Sequence, residues 1–488
     1  MADDTQSEDG KGKGDSLQVI VLGSGGGPLE DNCTAFLVRS IAQGWTRGSV
    51  LAVDAGVHLS AIQTLLQQYH PLPPERPHVL QDGLLAGLEL PYRSVGANTA
   101  HIARNLIGAH LITHPHIDHI AGGVVSTASP SSKPRRIAGL ASTIEALKQH
   151  VFNDVIWPNL TDENGGVGLV TFMRLMSGGS SLLGDGVTKG YMEVVEGLGV
   201  KSWAVSHGLC LKQFPYQSLN NPTAETGLAR SPSRRANPQS SRGHPSPPLI
   251  ADAMNTATEN LGMNFPSPAV DPFRVYTSSA FFIHDIASSH EILIWGDVEP
   301  DSLSAFPRNK QVWQDAAPKI AAGTLKGIFI ECSYDDSRSA EMLFGHLTPR
   351  YLIEELKVLA AEVDKFRGEL SPRRRPRDRF ITQGRVSGPD PSSRLDYLRR
   401  SIASRERDRI AGARQSLATS ANYIFSHRKG SNVGSLDGVK VVIIHVKDTL
   451  DDKEDPKEVI LRELGNHEEE LNLGCEFVVS EKGMSVCL

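Results

Sequence analysis

Cysteine is scarce in this chain. Cys33, Cys210, Cys332, Cys475 and Cys487 are five in 488 residues, an odd number with no C-x-x-C pair. That excludes a disulfide framework and a thiolate zinc site, and it fits a reducing compartment. Long apolar runs are also missing. The first residues, Met1 to Gly14, are polar and hold no apolar h-region, and no later stretch reaches the ~18 apolar residues of a membrane span. A cytoplasmic protein without a membrane partner is expected. Excess positive charge is lacking too. The net charge is −6, with 39% hydrophobic and 22% charged residues, a composition that fits a globular protein carrying flexible insertions. A general nucleic-acid binder needs surplus cations to displace counterions from phosphates, so no nucleic-acid partner is expected, whereas a small anionic substrate stays allowed.

Apolar residues come in short bursts. Leu17 to Leu22, Thr34 to Arg39 and Ser49 to Val53 read as three strands in quick succession, a meander. Further strands are expected over Lys201 to Ser206, Val275 to Ile283, Glu291 to Trp295, Gly327 to Ile330 and Val439 to Ile444. The glycine loop from Gly23 to Pro28 is not a dinucleotide fingerprint. Pro28 holds the third position, a strand follows instead of a helix, and no acidic residue lies ~20 residues beyond. A wide turn near the functional site is the better reading. Asp54 closes the third strand ahead of the helical run Leu59 to Leu66, and two roles are open for it, a helix cap or a brace for the histidine loop described next. Residues 1–15 read as a disordered tail and 16–488 as one domain. Pro-, Ser- and Arg-rich segments at about 222–248 and 365–430 read as low-complexity insertions, too poor in apolar surface to offset chain entropy. Their Arg runs read as solvated linkers before anion-binding sites.

Metal-binding side chains are concentrated in Thr113-His114-Pro115-His116-Ile117-Asp118-His119. Ala109 to Thr113 reads as a buried strand and Ile117 to Val125 as the opening of a helix. His114 and His116 alternate, so their side chains point the same way, while Asp118 and His119 fall on the first helical turn. Pro115 stiffens the turn, and Gly122 lets the helix approach a neighbouring strand. Imidazole and carboxylate are ligands that zinc accepts, and one loop can serve two adjacent metal positions, with a mononuclear site the alternative. Two metals need more ligands, and candidates stand at other strand ends: His207 after Ser202 to Ser206, Asp297 after Ile292 to Gly296, and His445 after Val441 to Ile444. Active sites of layered α/β proteins gather at such ends. His284 and His290 lie at the opposite end of their hairpin and are expected to be remote. His346 follows the strand-end Glu331 and precedes a helical segment; it reads either as a general acid beside a carboxylate or as a helix cap.

The order of these elements resembles the metallo-β-lactamase superfamily, and the run from His114 through Asp118-His119-Ile-Ala-Gly-Gly-Val-Val to Ser126 is similar to the signature of class II cyclic-nucleotide phosphodiesterases. Phe152 to Pro158, Ser278 to Ala280, Ile330 to Ser333 and Gly345 to Pro349 resemble further segments of that class, with fungal members the nearest in kind. The resemblance implies an α/β fold, an αββα four-layer sandwich with long flexible insertions. It implies that His114, His116 and His207 hold one zinc, that Asp118, His119 and His445 hold a second, and that Asp297 bridges them; Mn2+ or Fe2+ also suit N and O ligands. The implied activity is hydrolysis of 3′,5′-cyclic AMP, with cyclic GMP open, to the 5′-monophosphate by a metal-bridging hydroxide. His346, oriented by Glu331, would protonate the departing 3′-oxygen. A homodimer is compatible with this reading. The same ligand set serves tRNA 3′-end processing nucleases, against which the acidic charge balance stands. Thioester and lactam hydrolases of the superfamily do not need His346. A metal-free scaffold would gain nothing from retaining every ligand.

Overall fold

A computed structural model describes residues 14–129, 133–211, 273–370, 424–426 and 434–488. The expected insertion at 222–248 lies outside these residues. Of 365–430, residues 365–370 end a helix and 424–426 form a strand, and the rest lies outside as well, as do residues 1–13 of the expected tail.

The meander forms as the sequence pattern requires. Strands β1 (Leu17–Gly23), β2 (Ala35–Ser40) and β3 (Val50–Val53) pair antiparallel in succession. Helix α1 (Leu59–Gln67) follows, then a two-stranded ribbon of β4 (His78–Val79) and β5 (Glu89–Leu90). Helix α2 (Val95–His101) runs into a π turn, Ile102–Leu106. Strand β6 (Ile107–Leu111), helix α3 (Ile117–Ser126), β7 (Arg135–Leu140), helix α4 (Ala141–His150) and β8 (Val170–Leu175) extend the sheet in parallel.

A second sheet takes β9 (Met192–Val195), β10 (Leu198–Leu211), β11 (Phe273–Asp285), β12 (Glu291–Trp295), β13 (Leu325–Glu331), β14 (Ile424–Ser426), β15 (Lys440–Ile444) and β16 (Glu476–Val479). Helices α5 (Asn309–Ala322), α6 (Pro349–Leu370) and α7 (Pro456–Leu471) connect its strands. Strand β17 (Ser485–Cys487) returns to the first sheet beside β1. The two sheets have the orders β17-β1-β2-β3-β6-β7-β8 and β14-β16-β15-β13-β12-β11-β10-β9.

Side-chain alternation stacks these sheets. Val19 and Val21 of β1 join Ile292 and Ile294 of β12 in the core between the sheets. Ile20 and Leu22 face the other way, into a cluster with Ile62 and Leu65 of α1. Leu293 and Trp295 likewise turn outward onto Trp313 of α5 and Leu356 of α6. A strand covered on both faces cannot show polar alternation, which is why β1 and β12 read as continuous apolar runs. The result is helix, sheet, sheet, helix: the αββα sandwich of the metallo-β-lactamase fold.

The chain divides into two compact units, Met1–Gly208 with Val275–Leu488, and Leu209–Arg274. The first holds everything described below; the described residues of the second are the strand ends Leu209–Leu211 and Phe273–Arg274. Within the first unit, β3, β6, β12, β13 and β15 all run parallel to a neighbour, and residues at or after their C-terminal ends carry the site; His207 is the exception, expected at a strand end after Ser206 but placed inside β10, whose pairing carries the strand on to Leu211.

Candidate metal centre

The histidine loop is shaped by the change from strand to helix. The chain leaves β6 extended, and His116, the residue before α3, still has φ −69° and ψ 150°. The two alternate histidines therefore lie side by side, ring centroids 4.5 Å apart, while Asp118 and His119 enter the first turn. Helix α3 is pinned from below, because the Gly122 N–H donates to the Gly56 carbonyl at 2.9 Å. A Cβ on Gly122 would stand 2.7 Å from the Val57 carbonyl carbon, so the residue at this crossing has no room for a side chain.

All seven metal-ligand candidates converge. His114, His116, His207 and Asp297 each offer one ligand atom within 4.8 Å of the others, and Asp118, His119, Asp297 and His445 do the same. Asp297 belongs to both groups. Its Oδ2 is 3.7 Å from His114 Nε2, 3.6 Å from His207 Nε2 and 3.2 Å from His445 Nε2, and its Oδ1 is 3.1 Å from His119 Nε2. This is the placement a bridging carboxylate needs. His284 bears on Glu291 and His290 on Ser16, away from these groups, as expected.

Hydrogen bonds fix the histidine tautomers. The Thr34 hydroxyl donates to the Gly25 carbonyl, so it accepts from Nδ1 of His445 at 2.7 Å. The Thr113 hydroxyl donates to Asp54 and accepts from Nδ1 of His114 at 3.1 Å. Nδ1 of His119 donates to Asp54 Oδ2 at 2.8 Å, and Nδ1 of His207 to the Gly345 carbonyl at 2.8 Å. With the proton on Nδ1, each ring leaves its Nε2 lone pair facing the centre. Metal-bound histidines are held this way. Nε2 of His114, His119 and His445 and Oδ1 of Asp297 are buried and have no hydrogen-bond partner, an arrangement that is costly unless a cation satisfies them.

The electrostatics agree. Burial works against ionisation of Asp297, but the surrounding His119, His445 and His114 outweigh it and hold the carboxyl well below its usual range. Burial disfavours the cationic form of His119, yet Asp297 and Asp54 overcome it and raise its pKa. The field at His119 thus favours positive charge, which a divalent ion at Nε2 would supply.

A third group, His207, Asp297, Glu331 and His346, also meets the distance test, but Glu331 is already engaged. Its carboxylate accepts from the Val298 N–H at 2.8 Å, the Ser333 hydroxyl at 2.6 Å and the Leu347 N–H at 3.3 Å. Nδ1 of His346 lies 2.9 Å from its Oε1, so the His346 ring is oriented by Glu331. Burial, reinforced by the charge of Asp297, pushes Glu331 up to about 7. Burial also presses His346 down to about 4, although Asp297 opposes it.

Several supporting residues were not identified from the sequence. Of the two roles open for Asp54, the structure supports the brace: its carboxylate takes bonds from Thr113 and His119, and no side chain caps α1. Thr34, Ser333 and Ser279, whose hydroxyl donates to the Thr113 carbonyl at 2.8 Å, are ordinary strand residues by pattern. Ser279 and Ser333 lie in segments that resemble the family, but nothing local assigned any of the three a bracing role. The glycine loop lies at the site as expected: a Cβ on Gly26 would fall 2.6 Å from the His445 ring.

Comparison with known proteins points to one family. The family model for class-II cAMP phosphodiesterases matches residues 16–371, a span that ends before His445. A 3′,5′-cyclic-nucleotide phosphodiesterase of Schizosaccharomyces pombe is 27% identical over 352 residues, covering 72% of this chain and 77% of its own length. One of Candida albicans is 27% identical over 391 residues, covering 71% and 83%. The crystal structure of unliganded yeast PDE1 shares the fold with a TM-score of 0.60, at 22% identity over 97% of this chain and all of that one. No helix among the described residues is long and apolar enough to cross a membrane.

Proposed function

We propose, because this chain belongs to the class-II cAMP phosphodiesterase family, that it is a 3′,5′-cyclic-nucleotide phosphodiesterase that opens cyclic AMP to the 5′-monophosphate with two zinc ions. The observation that carries this reading is the set of histidines whose protons are tied up at Nδ1, with orphaned Nε2 atoms grouped around one shared carboxylate. His114, His116 and His207 would hold one ion and Asp118, His119 and His445 the other, with Asp297 common to both. Bound divalent ions supply Lewis-acid stabilisation of phosphoryl oxygens and an acidified water at neutral pH.

The protein's own residues supply orientation and the proton. Asp54, Thr34 and Thr113 hold the ligand rings in one tautomer. His346 has Nδ1 directed at Glu331, which leaves Nε2 to deliver a proton to the 3′-oxygen as its bond to phosphorus breaks. That oxygen departs from an alkyl ester and is too basic to leave unprotonated. Burial presses His346 down to about 4 and pushes Glu331 up to about 7, so at pH 7 the ring is largely neutral, and Glu331, about half protonated there, can return a proton through Nδ1 as Nε2 gives one up. Cytoplasmic hydrolysis of a signalling nucleotide fits the scarcity of cysteine.

The test is metal analysis and product identification on one purified sample. About two zinc per chain and release of 5′-AMP from cyclic AMP are expected. Cleavage of pre-tRNA without action on cyclic nucleotides would replace this reading with the nuclease one, and a chain that takes up no metal from zinc-supplemented medium would be a scaffold.

A further inference from the structure

Lys447 stands two residues beyond His445, where the chain leaves β15, and it is tied to both flanks of the metal centre. Its main-chain N–H donates to the Ser333 carbonyl at 3.1 Å. Ser333 is the residue whose hydroxyl lies 2.6 Å from Glu331 and 3.2 Å from Nδ1 of His346. On the other side, the Lys447 ammonium donates to the Gly26 carbonyl at 2.9 Å, in the glycine loop that is pressed against the His445 ring.

The ammonium is half-buried and has no carboxylate within ion-pair distance among the described residues, although the nearby Lys453 and Lys482 pair with Asp451 and Asp31. One carbonyl occupies one of its three N–H donors. Its one partner among the described residues, Gly26, abuts the metal-ligand ring: a Cβ there would fall 2.6 Å from Nε2 of His445, so the ammonium is bonded to a residue that touches the centre. A cation placed there without a counter-charge is poorly explained by folding alone, since burying it partly costs solvation and returns a single neutral hydrogen bond.

We infer that Lys447 binds the phosphoryl group of the substrate, its ammonium donating to a non-bridging oxygen of the cyclic phosphodiester. The inference rests on the reading above, and it deepens it by naming the cationic contact for the anionic part of the substrate. Lysine serves phosphate as a point charge. Donating to that non-bridging oxygen, it also stabilises charge that accumulates on the phosphoryl group as the bond breaks. The competing account is that Lys447 only holds the glycine loop through Gly26. That loop has other ties: the Gly25 N–H to Asn32, the Gly26 N–H to Val446 and the Asp448 N–H to the Gly27 carbonyl. It should therefore survive loss of the ammonium.

The experiment compares metal-loaded full-length wild type with Lys447→Met, Lys447→Gln and Lys447→Arg. Calorimetry with inorganic phosphate and inhibition by uncharged adenosine are measured beside kinetics on cyclic AMP, metal content and thermal midpoint. In the Met and Gln variants we expect phosphate affinity and kcat/KM to fall about 10- to 100-fold, the loss of one charge-assisted hydrogen bond. Adenosine inhibition and metal content should stay at wild-type values, and Arg should recover most of the phosphate affinity. Unchanged phosphate affinity in both neutral variants overturns the inference. So does a parallel loss of phosphate binding, adenosine binding and metal, which would mark a loop-holding role. If wild type binds phosphate through Lys447 but does not hydrolyse cyclic AMP, the proposed substrate is wrong while the phosphate site stands.

Discussion

Asp54 and His119 are 65 residues apart in sequence and 2.8 Å apart in the fold, carboxylate to Nδ1. Asp54 has a left-handed backbone, φ 53°, a conformation unfavourable for a residue with a Cβ and tolerated where the surroundings fix it. That turn sets its oxygens against both Thr113 and His119. His119, the last candidate ligand of the histidine loop, is thus oriented by the residue that follows the adjacent strand β3.

Asp54→Asn separates fold from metal binding. The amide can still accept from the Thr113 N–H, but its NH2 facing Nδ1 drives the His119 proton to Nε2, where a metal would bind. Metal affinity is expected to fall about 10- to 100-fold, read by zinc retained after dialysis against a buffered chelator, with a thermal midpoint near that of the wild-type apoprotein. Asp54→Ala is expected to cost about 1–3 kcal/mol of stability as well, for the buried donors it strands.

The ligands and the proton donor should differ in how they fail. His119→Ala and Asp297→Ala are expected to lose metal together with activity. His346→Ala should keep wild-type metal content and lose turnover by about 10²- to 10⁴-fold, the usual range for proton transfer. Full activity in His346→Ala would remove it from the reaction.

Helix α3 tolerates no side chain at its crossing with the segment after β3. Gly122→Ala places a methyl 2.7 Å from the Val57 carbonyl carbon and 2.8 Å from the His58 nitrogen, main-chain atoms that cannot swing aside. We expect about 1–3 kcal/mol of destabilisation from overpacking, measured by denaturant unfolding, and weaker metal retention as Asp118 and His119 move with the helix.

A buried pair away from the metal ligands sets an acid limit on stability. His58 and His110 lie Nε2 to Nε2 at 3.3 Å. Burial, then the Arg135 charge, lowers His58 to about 3, and burial, His58 and Arg135 lower His110 well below its usual range. Both folded-state values are depressed, so the fold favours the neutral rings. The stability this gives is complete above an unfolded-state pKa near 6.5 and is lost as pH falls below it. For His58 alone the loss is about 2 kcal/mol by pH 5. Unfolding free energies at pH 7 and pH 5 test this. His58→Gln, which cannot take up the proton, should show a smaller difference between the two, and an identical difference would reject the assignment.

Much of this was legible in one dimension. Strands β1, β12 and β15 are short apolar runs because sheets covered on both faces bury every side chain, and Asp297 and His445 stand just past such runs, whereas His207 lies inside β10. The loop at 114–119 is local, so strand alternation and the first helical turn suffice to read it. The bracing roles of Thr34, Thr113 and Ser333 were not legible because a hydroxyl beside a strand end is common, and only its partner tells what it does. Asp54 left two roles open for the same reason: a cap and a brace look alike until a neighbour is in place.

In the sequence, residue type and position beside apolar runs marked the ligand candidates, and a family resemblance implied the layered architecture. Tertiary structure decided the pairing of rings with braces, the sharing of Asp297 by two groups, the engagement of Glu331 with His346 and the bond from Lys447 to the glycine loop. These depend on distances between strands that are far apart in sequence, which packing of the two sheets fixes and no local pattern encodes.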